Sequence, residues 1–318
     1  YGEALEDKRP SLGDDMEMRR YADVPMAAFW TFPRGGALRD TLIADMKGAA
    51  SVAHVFGQNI AAAESLTAAM NPWNYAPNDL RRMIVTGINR PVIHTSVHQP
   101  LDDKFPGLSL FIFGQYFNRH ESWAEMAKPW VDYLSRNSAM LQAGRNFADV
   151  AYFYGEEAPL TSLYGDGPIK DAPRTYAYDF VNYGALTDAL SNDGDEIVSI
   201  GGARYKAIYL GGSTHRMTLS ALKRLAALAE GGATIVGMKP ESSPSLSDSS
   251  GDRAAEWSAL AAKLWAGGDV TKVGKGQVIA SRDIEAALAR TGLVSDFRHN
   301  GGADVRIEVV PPPPADGA

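Results

Sequence analysis

Across the first 145 residues, short apolar runs alternate with longer segments whose apolar positions recur at helical spacing. Residues 38–56 place Leu42, Ile43, Met46, Ala49, Ala50 and Val55 on one helical face. That helix meets a glycine stop at Gly57 and feeds a strand of small apolar residues, 60–63, after which Glu64 stands. A loop with Asn71, Pro72 and Trp73 follows. Residues 90–95, RPVIHT, read as a second apolar strand leading into Ser96, His98 and Gln99. Upstream, YGEALED (1–7) begins as if leaving a strand, and 14–20 reads as a short polar helix. ADVPMAAFWTF (22–32) reads as another strand end, with Asp23 ahead of a proline and an aromatic cluster. Residues 78–86 are helical, with Asn78 or Asp79 as cap. Residues 118–142 predict a long helix kinked at Pro129, with Trp123, Ala127, Trp130, Val131, Leu134 and Leu141 near one stripe.

From about residue 146 the alternation resumes with a different texture. ADVAYFY (148–154) reads as a buried strand, followed by a loop with Gly165, Gly167, Pro168 and Pro173. Helices are expected over 182–190, 219–230, 254–264 and 283–288. Strands are expected over 196–200, 204–210, 233–236 and 276–280, and Gly231-Gly232 reads as a helix stop. A β-rich piece begins after Gly292.

Strands and helices alternating at these lengths predict parallel βαβ units, hence an α/β fold. The first region holds about three such units, whereas a closed eight-unit barrel needs ~250 residues. Either that sheet is open or further barrel strands lie upstream of Tyr1. The predicted domains are 1–145, a doubly wound 146–292, and 293–318 as the start of a β-domain.

Composition narrows the partners. Of 318 residues, 45% are hydrophobic and 22% charged, ordinary for a globular protein. The net charge of −7, with no basic stripe, argues against nucleic acid. The chain contains no cysteine, so disulfides, thiolate metal sites and cysteine nucleophiles are excluded together. No apolar run is long enough to span a bilayer. The N-terminus has no signal-peptide pattern, and both ends read as cut points inside a longer protein.

The polar residues expected at strand ends make the candidate site. Glu3, Asp23, Glu64 and His94 or His98 would converge on one face if their strands are successive and parallel. Two carboxylates across such a pocket are glycosidase equipment, one as acid and the other as base or nucleophile. Trp30, Trp73 and Tyr75 would stack on sugar rings. The competing reading is structural: a strand-end histidine or glutamate is more often a hydrogen-bonded or solvated group. Several carboxylates without thiols would suit a hard cation such as calcium better than zinc. The YLGGS turn (209–213) lacks both GxGxxG and GxxxxGK[ST], which excludes dinucleotide and P-loop readings.

With these segments in view, the chain resembles glycoside hydrolase family 106, the bacterial α-L-rhamnosidases. YGEALED (1–7), GAASVAHVFGQNIAAAES (48–65), INRPVIHTSVHQP (88–100), NRHESWAEMAKPWVDYLSRNS (118–138) and GRNFADVAYFYGEEAPL (144–160) carry the resemblance. RYKAIYLGG (204–212) and GGATIVGMKPESSPSLS (231–247) extend it over nearly the whole chain. The resemblance implies part of a (β/α)8 TIM-type barrel followed by a glutamine-amidotransferase-like doubly wound α/β domain. That second domain, without a thiol, is expected to be catalytically inert and to pack on the barrel. The implied activity is inverting release of terminal α-L-rhamnose from glycosides or polysaccharides, with calcium at the sugar hydroxyls and a periplasmic or secreted location. Glu64 would be the general base at the end of the seventh strand. Glu3 would be a calcium ligand or substrate contact. His94 and His98 would contact the sugar after the eighth strand, with Asp23 and Trp73 as further substrate-binding candidates. The general acid is expected upstream of Tyr1. The alternatives are a non-catalytic carbohydrate-binding or assembly module, and a barrel glycosidase of another sugar specificity.

Overall fold

The computed structural model describes residues 13–29, 40–65, 86–105, 107–108, 110, 117–164 and 169–295. Glu3, Trp30, Trp73, Tyr75, nearly all of the helix expected over 78–86 and nearly all of the β-rich segment after Gly292 lie outside them. The fold is mixed α/β, as the alternation predicts.

The first sheet has three parallel strands in the order β1 (Met26–Phe29), β2 (Ala62–Ser65), β3 (Arg90–Ile93). Helix α1 (Asp15–Arg19) precedes β1, and Asp14 caps it by accepting the Glu17 amide at 2.8 Å. Helix α2 (Asp40–Phe56) carries the chain to β2, and α3 (Ala127–Ala143) lies beyond β3. Alternation sorts the strand residues. Ala27, Phe29, Ala63 and Ile93 pack with Met46, Ala49, Ala50 and Ala53 of α2 and with Leu134 of α3.

The long helix expected over 118–142 starts later. Residues 118–123 form turns, in which Asn118 Oδ1 accepts the His120 amide at 2.8 Å. A 3-10 turn (Ala124–Met126) then leads into α3. Pro129 therefore sits in the first helical turn, where its missing N–H costs nothing, and it does not kink the helix. Of the expected stripe, Leu134 is buried, whereas Val131 is exposed.

The second sheet has six strands in the order β11-β12-β10-β9-β4-β5. These are β4 (Val150–Phe153), β5 (Tyr178–Val181), β9 (Ala207–Leu210), β10 (Thr234–Val236), β11 (Val270–Val273) and β12 (Gly276–Ile279). All pairings are parallel except the β11–β12 hairpin. The parallel strands, counted in chain order, run 2-1-3-4-5, a doubly wound arrangement. The run expected as one strand over 204–210 divides at Lys206. Its first two residues, β8 (Arg204–Tyr205), join a small antiparallel sheet with β6 (Leu190–Asp193) and β7 (Glu196–Ser199). The helix expected over 182–190 shrinks to one π-helical turn, Ala185–Ala189. Helix α4 (Leu160–Tyr164) follows β4; α5 (Leu219–Gly231), α6 (Gly251–Leu264) and α7 (Ile284–Arg290) come later in the described residues. Thr218 and Asp283 cap α5 and α7, and Gly232 ends α5.

Helix α2 belongs to both sheets. One face covers β1 and β2; the other packs on β5, with Ala44 and Val52 buried among Val150, Tyr152 and Phe180. Leu160 of α4 and Ile284, Ala287 and Leu288 of α7 are buried in the same cluster, so α2 shares the covering of that side of the second sheet with them. The junction is polar as well as apolar. Ser51 Oγ accepts the Phe180 amide at 2.8 Å, His54 Nδ1 lies 2.7 Å from Asp179 Oδ1, and the Gly201 amide donates to the Val55 carbonyl at 2.9 Å.

A buried ionic cluster sits at the same junction. Arg19 pairs with Asp45 of α2, lies 3.8 Å from Asp15 and donates through Nε to the Met26 carbonyl at 3.0 Å. Asp15 Oδ1 accepts the Leu160 amide at 3.0 Å. Burial pushes the Asp15 carboxyl up to about 7 against the pull of Arg19. Its folded pKa thus exceeds the ordinary 3.8, and the folded state holds more protons between those values. The associated stability is present below about pH 4 and is lost as pH rises through about 7. Asp15→Asn keeps the acceptor for Leu160 and removes the titration. Urea midpoints at about pH 4 and about pH 8 are expected to fall more in the wild type than in this variant. Equal falls would refute the assignment.

Candidate active site

The parallel register places Ala28, Glu64 and Val92 side by side across β1, β2 and β3. Their neighbours Phe29, Ser65 and Ile93 form the next row, and alternation sends that row toward α2 and α3. Glu64 therefore stands on the opposite face of the sheet, half-buried, between an alanine and a valine. It is the third residue of β2 rather than the residue after the strand, because pairing with Phe29 and Ile93 carries the ladder through Ser65.

His94 follows β3 directly, and its amide continues the ladder to the Ser65 carbonyl at 3.0 Å. Two residues beyond Val92, it shares the strand-end position of Glu64. Its Nδ1 is buried without a hydrogen-bond partner among the described residues. His98 lies further along, exposed, where its carbonyl accepts the Leu108 amide at 2.9 Å. The structure thus brings His94 to the end of the sheet that carries Glu64 and leaves His98 on the loop beyond.

Asp23 is not part of this grouping. It is exposed in the turn before β1, three residues ahead of Met26, so it lies at the N-terminal end of the sheet. In parallel strands, the residues preceding each strand gather at the end opposite those that follow it. Glu3 and Trp73 fall outside the described residues.

The loop beyond β3 holds polar groups that the helical reading of 118–142 concealed. The Phe117 amide donates to the Thr95 carbonyl at 3.3 Å, fastening this loop to the end of β3. Phe117, Trp123 and Trp130 form a triangle of rings with centroids 5.6, 6.0 and 6.2 Å apart. The Phe105 ring meets His120 edge-on at 4.7 Å. Among the described residues, Gln99 Oε1, His120 Nε2, Glu121 Oε2, Trp130 Nε1 and His94 Nδ1 are buried and make no hydrogen bond, although His120 Nε2 lies 3.7 Å from Asp102. Burial raises the Glu121 carboxyl above its ordinary range. Buried groups of this kind are normally satisfied by water or a ligand. The aromatic spacing 117, 123, 130 was the one signal in sequence, and it fits a helix stripe equally well.

Among the described residues, no three histidine, aspartate or glutamate side chains are grouped to hold a metal. Glu3, the expected calcium ligand, lies outside the described residues. In the second sheet, the first-turn donors of α5 are occupied by the protein's own carboxylates. Glu156 accepts the Thr218 amide and hydroxyl at 2.8 and 2.9 Å, and Asp248 accepts the Leu219 amide at 2.9 Å. Among the described residues, no helix is long and apolar enough to cross a membrane.

A rhamnosidase structure from Novosphingobium sp. PP1Y is 62% identical, with a TM-score of 0.90 over 96% of this chain and 29% of that one. A curated protein of Formosa agariphila, named as a candidate beta-glucuronidase, is 34% identical over 289 residues, 90% of this chain and 23% of its own length. The chain thus spans less than a third of the length of either. The α-L-rhamnosidase family profile matches residues 1–311. The chain belongs to the glycoside hydrolase family 106 α-L-rhamnosidases.

Proposed function

We propose that this chain carries the general base of an α-L-rhamnosidase that releases terminal α-L-rhamnose with inversion. The carrying observation is Glu64 near the C-terminal end of β2, on the sheet face turned away from α2; barrel enzymes draw their catalytic residues from the C-terminal ends of their strands. In this reading β1, β2 and β3 are the closing strands of a (β/α)8 barrel, and the second sheet is an amidotransferase-like companion. Glu64 takes a proton from water as the water attacks the anomeric carbon. A second carboxylic acid, on a barrel strand preceding Tyr1, protonates the leaving oxygen from ~6.5–9.5 Å away. The buried atoms His94 Nδ1, Gln99 Oε1, His120 Nε2, Glu121 Oε2 and Trp130 Nε1, which make no hydrogen bond among the described residues, suit sugar hydroxyls, which offer both functions. The aromatic triangle beside them suits the apolar face of a 6-deoxy sugar.

The Formosa relative's name motivates a second reading, a glycosidase acting on a uronide. A panel of aryl glycosides on the full-length protein separates the two. Release from the α-L-rhamnoside and none from the β-glucuronide is expected; the reverse pattern would overturn the rhamnosidase reading, and affinity for rhamnose without turnover would favour a binding module.

A further inference from the structure

We infer that the buried His54–Asp179 pair is a positioning device, through which the second sheet holds β2 and β3, and with them Glu64 and His94, in register. The inference rests on the glycosidase reading for its catalytic consequence.

Asp179 is fully buried on β5, more than eighty residues beyond the strands it would position. Burial alone would raise its carboxyl. His54, Lys47 and the Tyr205 hydroxyl outweigh burial and hold it below its ordinary value. It accepts from Tyr205 at 3.1 Å and from Asn146 at 3.2 Å, which leaves Oδ1 aimed at His54 Nδ1. An ionised group buried here gains little stability over a well-packed apolar pair. What it supplies is direction, because it fixes the plane and position of one imidazole.

That imidazole sits at the entrance to the candidate site's strands. A side chain on Gly87, in the turn that delivers β3, would come within 3.3 Å of His54 Cε1 and 2.8 Å of the Ala50 Cβ. Gly87 has φ +93°, open to glycine alone without strain. The turn therefore lies directly against His54, with no side chain between. On the other flank, His54 occupies the last turn of α2, whose terminal carbonyls need partners. The second unit supplies one of them through the Gly201 amide on the Val55 carbonyl. Gly201 lies so close to Gly57 and the His54 carbonyl that a Cβ there would collide with backbone. Gly57 ends α2, and seven residues later the chain reaches Glu64. Asn89 completes the clamp: its Oδ1 accepts the Ala61 amide at 3.0 Å and its Nδ2 donates to the Asn59 carbonyl at 3.0 Å, so the turns entering β2 and β3 move together.

The test uses the full-length protein. His54→Leu removes the donor toward Asp179, whereas His54→Asn returns a donor near the position of Nδ1. For an aryl α-L-rhamnoside, kcat is expected to fall roughly 10- to 100-fold in His54→Leu, with KM within about twofold, and to recover within about threefold of wild type in His54→Asn. Amide exchange, read without substrate, is expected to accelerate across 61–65 and 90–94 in His54→Leu and to stay unchanged across 207–210 and 234–236. Unchanged kcat and exchange in His54→Leu, no recovery in His54→Asn, or faster exchange in all four segments alike would each overturn the proposal. A wild type inert toward the rhamnoside would overturn the rhamnosidase reading alone, and the exchange pattern would still decide the positioning claim.

Discussion

Replacing Glu64 by glutamine in the full-length protein is expected to lower kcat for an aryl α-L-rhamnoside by roughly 10²–10⁴-fold, the usual contribution of a general base. Glutamine keeps the shape of the side chain and its place between Ala28 and Val92. It cannot take a proton from water, so the loss should fall on kcat while KM stays within about twofold. Leaving-group dependence separates base from acid. An acid variant is rescued by an aryl leaving group that departs unaided, whereas a base variant is impaired with every leaving group. Steady-state kinetics over a series of substituted aryl rhamnosides reads this directly. A Glu64→Gln protein with wild-type kcat, or one impaired only with poor leaving groups, would remove Glu64 from the role of base.

The largest expected loss of stability comes from Arg19→Met. Arg19 and Asp45 are both buried, and Asp45 Oδ2 also accepts the Ala28 amide of β1 at 2.8 Å. The pair thus ties α1, α2 and β1 at one point. Removing the guanidinium leaves the Asp45 charge without its cation in a dry setting, which typically costs about 3–5 kcal/mol. Adding Asp45→Asn neutralises that charge while keeping an acceptor for Ala28, so the double variant should regain part of the loss. Urea unfolding measures both. A single-variant loss under about 1 kcal/mol would mean that the pair behaves as a solvated surface contact.

Much of the fold was legible because its signals are local. Residues 38–56 read as a helix with its stop at Gly57, and α2 ends at Phe56. The strands carrying Glu64 and His94, and most of those of the second sheet, were marked by apolar runs between turn residues. Where the structure departs from the local pattern, the cause is a contact that the pattern does not contain. Asp23 adjoins an apolar run just as Glu64 does. Yet it precedes its strand, and parallel pairing sends it to the far end of the sheet. The 118–142 pattern is helical throughout, but the amide at His120 bonds the Asn118 side chain and Phe117 fastens to Thr95, which holds the first turns out of the helix. The strand β5 went unseen because Tyr178–Val181 carries Asp179 at a buried position, and burial of that carboxylate makes sense only with His54 beside it.

Local signals in the amino-acid sequence were enough for the α/β class, the order of the main elements and the family resemblance, and they singled out Glu64 as a candidate. Periodicity, glycine stops and motif runs are properties of neighbouring residues, so they survive without a fold. The order of the strands, the face on which Glu64 stands, the place of Asp23 at the other end of the sheet, the ring triangle of Phe117, Trp123 and Trp130 and the sharing of α2 between two sheets needed the tertiary structure. Each of these depends on contacts between distant segments, such as His54 with Asp179. Their free energy lies in burial and directed hydrogen bonds that do not exist until the chain has closed on itself.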